Sequence, residues 1–168
     1  AMPFVYNVQS KAVSENYATS GSANTEVDVA FLKPGATRAF GLIALRVQGK
    51  GAGLTALSGI AFRLKQYTTT ASSAGTAITP QPVDKRAPAA VSTSSAGAAG
   101  GTGAVTSGTG GPNLVGGCGC GASGPGGWVA PNPDGAIVLD GGATMSTDIF
   151  SSSGTASLNF EFQEDIQE

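Results

Sequence analysis

The residues with which this chain could do chemistry are few, and their types narrow the field. Histidine is absent. That removes the usual general base, the Ser-His-Asp and Cys-His arrangements and the commonest metal ligand. Eleven acids are present, and a glycosidase needs only two carboxylates. None is marked out by its context, however. Asp134, Asp140 and Asp148 stand in or near turn sequence, where aspartate hydrogen-bonds local backbone. The motifs "GTG" and "GKGAG" lack the GxxxxGK[ST] and GxGxxG patterns of phosphate-binding loops, and no helix follows them, so they read as turn glycines.

Cys118 and Cys120 flank Gly119. Structural zinc needs about four ligands, typically from paired CxxC units, and CxC without histidine falls short. In extended chain, positions i and i+2 point to one side, with alpha carbons near the far limit for a bridge, so a bond between these two would be strained. Three states stay open: free thiols, the default in a cytoplasmic product; a disulfide between copies gathered around a symmetry axis; and a metal. No enzymatic activity, catalytic residue, metal or cofactor is expected.

Both cysteines lie in "SSAGAAGGTGAVTSGTGGPNLVGGCGCGASGPGGW", Ser94 to Trp128, which carries no charge. The chain holds 26 glycines, about twice the usual share. Glycine loses most backbone entropy on ordering, and the run has little apolar surface to offset that loss. It is therefore expected to need something to lie against. Glycine is not spaced every third residue, which excludes collagen. Leu114, Val115, Cys118, Cys120 and Trp128 are the candidate contact residues toward other subunits or a shell. Trp128, the only tryptophan, reads either as a core anchor where the chain re-enters the fold or as an interface anchor, since tryptophan is enriched there.

The elements around this run read as strands, because apolar residues recur with period two and no convincing amphipathic helix appears. Segments 3–13, 25–32, 38–48 and 59–70 are expected strands. Val27, Val29 and Phe31 are expected on one face, opposite Asp28 and Ala30. Ile43, Leu45 and Val47 are expected opposite Leu42, Ala44 and Arg46. Ile60, Phe62 and Leu64 should face inward. Prolines at 80, 82 and 88 limit 76–88 to an edge strand followed by extended chain, and 89–95 reads as a further short strand. After the run, 135–142, 144–150 and 154–165 resume the pattern; in the last, Leu158, Phe160 and Phe162 alternate with Asn159, Glu161 and Gln163. A length of 168 residues fits a single domain. The expected fold is all-β: a jelly-roll-like sandwich of about eight short antiparallel strands, with 94–127 as a long Gly-rich insertion loop.

Charge is scarce, 12% of residues, and uneven. Residues 1–86 hold all nine bases and four acids, a net +5, while 87–168 hold seven acids and no base, −7. Such segregation points to electrostatic complementarity within the fold or between subunits. The basic residues form no cluster larger than "DKR" at 84–86, which disfavours nucleic acid. No segment approaches ~18 consecutive apolar residues, so no membrane partner is expected. The opening "AMPFVYNV" lacks the regions of a signal peptide. It is read as following loss of an initiator methionine, which points to cytoplasmic synthesis.

Two segments carry a resemblance. "LIALRVQGKGAGLTALSGIAFRLKQYTTTASSAGTAITPQPVDKRAPAA" (42–90) resembles a pattern in small structural proteins of tailed-phage virions. There a strand leads to a second strand with a Thr/Ala/Ser/Gly loop, then "GTxxTPxPxD". "GWVAPNPDGAIVLDGGATMSTDIFSSSGTASLNFEFQE" (127–164) is similar to the closing half of the same proteins. The resemblance covers about two-thirds of the chain; the Gly-rich run departs from it. It implies a decoration or cement protein of the capsid surface, jelly-roll-like, homotrimeric and bound to the major capsid protein, made in the host cytoplasm. The rival expectations are a tail or fibre protein, a carbohydrate-binding module, which would need a platform of exposed aromatics, and a remote glycoside hydrolase.

Overall fold

The computed structural model describes residues 4–10, 17–18, 25–50, 59–97, 105–130, 137–139, 142, 144–153 and 158–168. Among them the regular structure is all strand: β1 (Val5–Gln9), β2 (Tyr17–Ala18), β3 (Val27–Lys33), β4 (Phe40–Gly49), β5 (Gly59–Tyr67), β6 (Ser73–Ala74), β7 (Thr76–Ile78), β8 (Gln81–Pro82), β9 (Thr93–Ala96), β10 (Val105–Thr106), β11 (Asn113–Gly121), β12 (Pro125–Val129), β13 (Ile137–Leu139), β14 (Ser146–Ser153) and β15 (Asn159–Gln167).

Two antiparallel sheets form the body. The first runs β12-β4-β15-β1-β8, with β13 also on β4 and β2 also on β15; the second runs β11-β5-β14-β3-β9-β7. Counting only the eight strands of five or more residues, in chain order, the first sheet reads 6-3-8-1 and the second 5-4-7-2. Every later strand of the second half pairs with a strand of the first. A β-sandwich results, its core shared by Tyr6, Val8, Leu42, Leu45, Phe160 and Phe162 from one sheet and Leu32, Ile60, Phe62, Leu64 and Ile149 from the other. The Phe62 and Phe160 rings meet edge to face across it, centroids 4.9 Å apart, an arrangement the ring quadrupoles favour.

The alternations expected of β5 and β15 are present: Ile60, Phe62 and Leu64 are buried, as are Phe160 and Phe162. Two other phases differ from expectation, each because of a bulge. In β3 the register slips where Ala30 pairs Ile149 but Asp28 pairs Phe150. Ala30 and Leu32 therefore point into the core, while Phe31 lies beside Asp148 on the outer face. In β4 a slip between Asp165 and Ile166 turns Leu42 inward. A bulge adds one residue to one strand and so reverses its faces beyond that point. The proline-limited segment supplies β7 and β8, which end the two sheets on the side away from β11 and β12; Pro82 stands in the edge strand β8, as proline's missing donor requires. The expected strands at 11–13, 135–136, 140 and 154–157 lie outside the described residues, as does Asp134.

Part of the charge segregation is satisfied inside the fold. Arg46 of β4 holds Asp165 of β15 at 2.6 Å, and Lys50 lies 3.7 Å from Glu161. Both join the basic first half to the acidic second half.

Candidate functional site

The Gly-rich run is not a loop over the residues described. Its centre is β11, paired with β5 from Asn113 to Gly121, and its end is β12, paired with β4 from Pro125 to Val129. A tight turn joins them, closed by Gly124 N–H donating to the Gly121 carbonyl at 3.2 Å. The expectation of an insertion loop ordered only by a partner is therefore corrected. The run forms one wall of the sandwich, and this chain's own strands hold it.

Glycine is required here because the two backbones stack. A Cβ on Gly126 would stand 2.0 Å from the Gly119 carbonyl oxygen, and one on Gly49 would stand 2.3 Å from that of Gly121. Without side chains between them, the ends of the two sheets close directly, backbone on backbone. Further along, a Cβ on Gly116 would meet the Trp128 indole Nε1 at 3.0 Å. The indole thus lies over Gly116, packed partly against the core, which is the anchoring role.

The five candidate contact residues separate into two groups. Cys120 is buried in the core cluster, and Cys118 and Trp128 are half-buried against it. Leu114 is 64% exposed and Val115 lies at the surface beside it; Val129, which sequence reasoning passed over, is 72% exposed. The contact of Gly116 with Trp128 brings Val129 to the same end of the hairpin as Leu114 and Val115. Leu114, Val115 and residues 116–118 share a shallow depression of about 480 Å³ with Ala61, Phe62 and Arg63 of β5. Among the described residues each of β11 and β12 ends its sheet's strand order, so no second described strand is hydrogen-bonded to either. Proteins usually blunt such edges with charge, proline or a covering segment. β11 carries neither charge nor proline.

The thiols are poorly suited to chemistry. Burial, with a lesser contribution from Cys120, pushes the Cys118 thiol up to about 11. Burial also raises Cys120, opposed by the Gly49 backbone. The thiolate is the nucleophile and the metal ligand, and this environment disfavours it. Both cysteines are free in the chain. Among the described residues no group of three or more His, Cys, Asp or Glu is placed to hold a metal.

A shallow cavity of about 300 Å³ on the first sheet is lined by Gln9, Ser10, Arg46, Gln48, Pro125, Glu161 and Gln163, among others. It offers a single carboxylate and so no acid–base pair. Three acids that the sequence did not single out are instead buried. Asp28 and Asp148 stand on the outer face of the second sheet, and Asp148 is a strand residue rather than a turn residue. Glu164 points into the core between Val8 and Leu45, 1% exposed. Neither Glu164 carboxylate oxygen meets a hydrogen-bond partner, and burial pushes its acid up to about 8. The signal for Glu164 was present, since it continues the phase of Phe160 and Phe162. Asp28 and Asp148 needed the pairing of β3 with β14 to be found.

Comparison with protein-family models and with curated proteins finds no match to this chain.

Proposed function

We propose that this chain is a structural protein that works by lying against other protein, and that its β11–β12 edge is where copies meet. One observation carries the reading: an uncharged strand pair, last in both sheets among the described residues, that exposes Leu114, Val115 and Val129. Large apolar side chains exposed together on an uncharged surface mark where other protein lies. A charged fraction of 12% supports the same reading, because so sparse a charge is unusual on a surface that must stay solvated alone. The glycines serve closure of the sandwich.

The strand order 6-3-8-1 against 5-4-7-2 is read here, in finer terms, as the paired Greek keys of a jelly roll. With the resemblance of segments 42–90 and 127–164, this supports a decoration or cement protein on the capsid of a tailed phage. In that reading the chain forms a homotrimer on the major capsid protein. Its many small contacts are multiplied by the repeating shell. Against the carbohydrate-binding alternative, every aromatic whose burial is described is buried or half-buried, which leaves no stacking platform among those residues. The test is occupancy on shells built from major capsid protein alone. The native chain is expected to saturate them, and Leu114→Lys with Val129→Lys to bind at least tenfold more weakly. Equal binding by both, or none by the native chain, would overturn the reading.

A further inference from the structure

Among the described residues two short strands, β6 and β10, pair only with each other and form a ribbon, extended by a bridge between Thr70 and Thr109. The ribbon lies over the outer face of the second sheet, and the contacts beneath it converge on two acids. Ser107 Oγ donates to Asp28 Oδ2 at 2.8 Å. Ser72 Oγ donates to Asp148 Oδ2, and Ser146 Oγ donates to Asp148 Oδ1 at 2.7 Å. The ribbon's backbone joins in: Gly108 N–H donates to Ser72 Oγ and Ser72 N–H to Ser146 Oγ, each at 3.0 Å. Asp28 is 8% exposed and Asp148 fully buried.

We propose that Asp28 and Asp148 form a proton-sharing clasp that fastens the β6–β10 ribbon to the sheet, and that loss of the shared proton in alkaline medium releases the ribbon. Two adjacent carboxyls out of water cannot both be charged at low cost. Asp28 Oδ1 meets no donor, which would leave a carboxylate there uncompensated. A proton on Asp28 removes that charge and makes the acid a donor to Asp148, whose carboxylate then accepts from Asp28, Ser72 and Ser146. Burial, then the Asp148 hydrogen bond and charge, push Asp28 up to about 9. Burial also raises Asp148, opposed by the hydrogen bonds from Asp28, Ser72 and Ser146.

The surrounding charges leave this balance in place. From β5, Lys65 faces the pair, but its ammonium is bound by Glu26, which Arg63 also holds, and lies 4.6 Å from the Phe150 ring centre. Tyr67, also from β5, bonds Ser107 and is raised by burial. From β15, Glu164 adds a further acid behind Asp148. When hydroxide removes the Asp28 proton as water, a second negative charge is left beneath the ribbon, and lifting the ribbon admits solvent to it.

The test follows the carboxyl carbons of Asp28 and Asp148 by NMR in the full chain from pH 5 to 10, together with amide exchange at Ser72 and Gly108. One alkaline titration step shared by both carbons is expected. Above it, protection of Gly108, corrected for base catalysis, should fall by up to tenfold per pH unit, the limit for one linked proton. Asp28→Asn keeps a donor toward Asp148 without a proton to lose, so its protection should be flat. Ionisation of both carboxyls below pH 5 in the native chain would overturn the proposal, as would an alkaline loss of protection that persists in D28N. If D28N does not fold, the native titration decides alone.

Discussion

Gly126→Ala tests whether the Gly-rich run is a wall of the fold or a segment waiting for a partner. The added Cβ would stand 2.0 Å from the Gly119 oxygen, 2.8 Å from its carbonyl carbon and 3.1 Å from Cys120 Cβ. The shortest of these must lengthen by more than an ångström before it is an ordinary contact. Gly119 cannot yield alone, because β11 is laddered to β5, nor can Gly126, because β12 is laddered to β4. Overpacking costs ~1–3 kcal/mol, and a backbone-on-backbone clash belongs at the upper end. For a chain of this size about 3 kcal/mol corresponds to a fall in Tm of about 6–12 °C. Gly124→Ala is the control from the same hairpin: its Cβ would find nothing nearer than 3.8 Å. It should be neutral, or stabilising by ~0.4–1 kcal/mol through the unfolded chain. Thermal melts of the isolated chain, read by near-ultraviolet circular dichroism, give both values. Equal melting of the two variants and the native chain would refute the stacking account.

Other expectations follow from the buried acids and thiols. Glu164→Met replaces an unpartnered buried carboxyl with an apolar side chain of similar size. It should raise Tm at pH 8, because an unpaired ion in an apolar core costs several kcal/mol; a fall in Tm would mean that Glu164 has a partner. Asp28, Asp148 and Glu164 all have folded-state pKa values above their unfolded ones. The stability that Asp28 and Glu164 contribute is fully present below about pH 4 and is lost as pH rises toward about 9 and about 8 respectively. Melting at pH 5 should therefore exceed melting at pH 9, and the reverse order would contradict these assignments. Cys118 and Cys120 should resist a thiol reagent at pH 8 until denaturant is added, and the purified chain should show no linked copies on a non-reducing gel. Rapid labelling of the folded chain would show that the thiols are not shielded.

The fold was legible where side chains alternate without interruption. β5 and β15 declare their faces, and prolines 80 and 82 mark where the chain passes from the edge of one sheet to the edge of the other. Phase was lost in β3 and β4 because a bulge is decided by the partner strand and leaves no mark on its own. β11 was illegible for another reason: glycine has no side chain to alternate, so a strand made of it resembles a loop, and only tertiary pairing reveals it. For the same reason composition suggested that the run needed an outside support when β5 and β4 supply one. Of the candidate contacts, Leu114 and Val115 are large apolar residues of the uncharged run, and both reach the surface. Cys120, also a candidate contact, is buried because its phase in β11 points it into the core.

The most direct measurement of how this chain assembles is its mass in solution by sedimentation velocity at tens of micromolar. The native chain is expected at three times its 16.4 kDa, and the Leu114→Lys, Val129→Lys double variant at one times, with unchanged circular dichroism. A variant that sediments like the native chain, at any mass, would contradict a meeting of copies along β11 and β12.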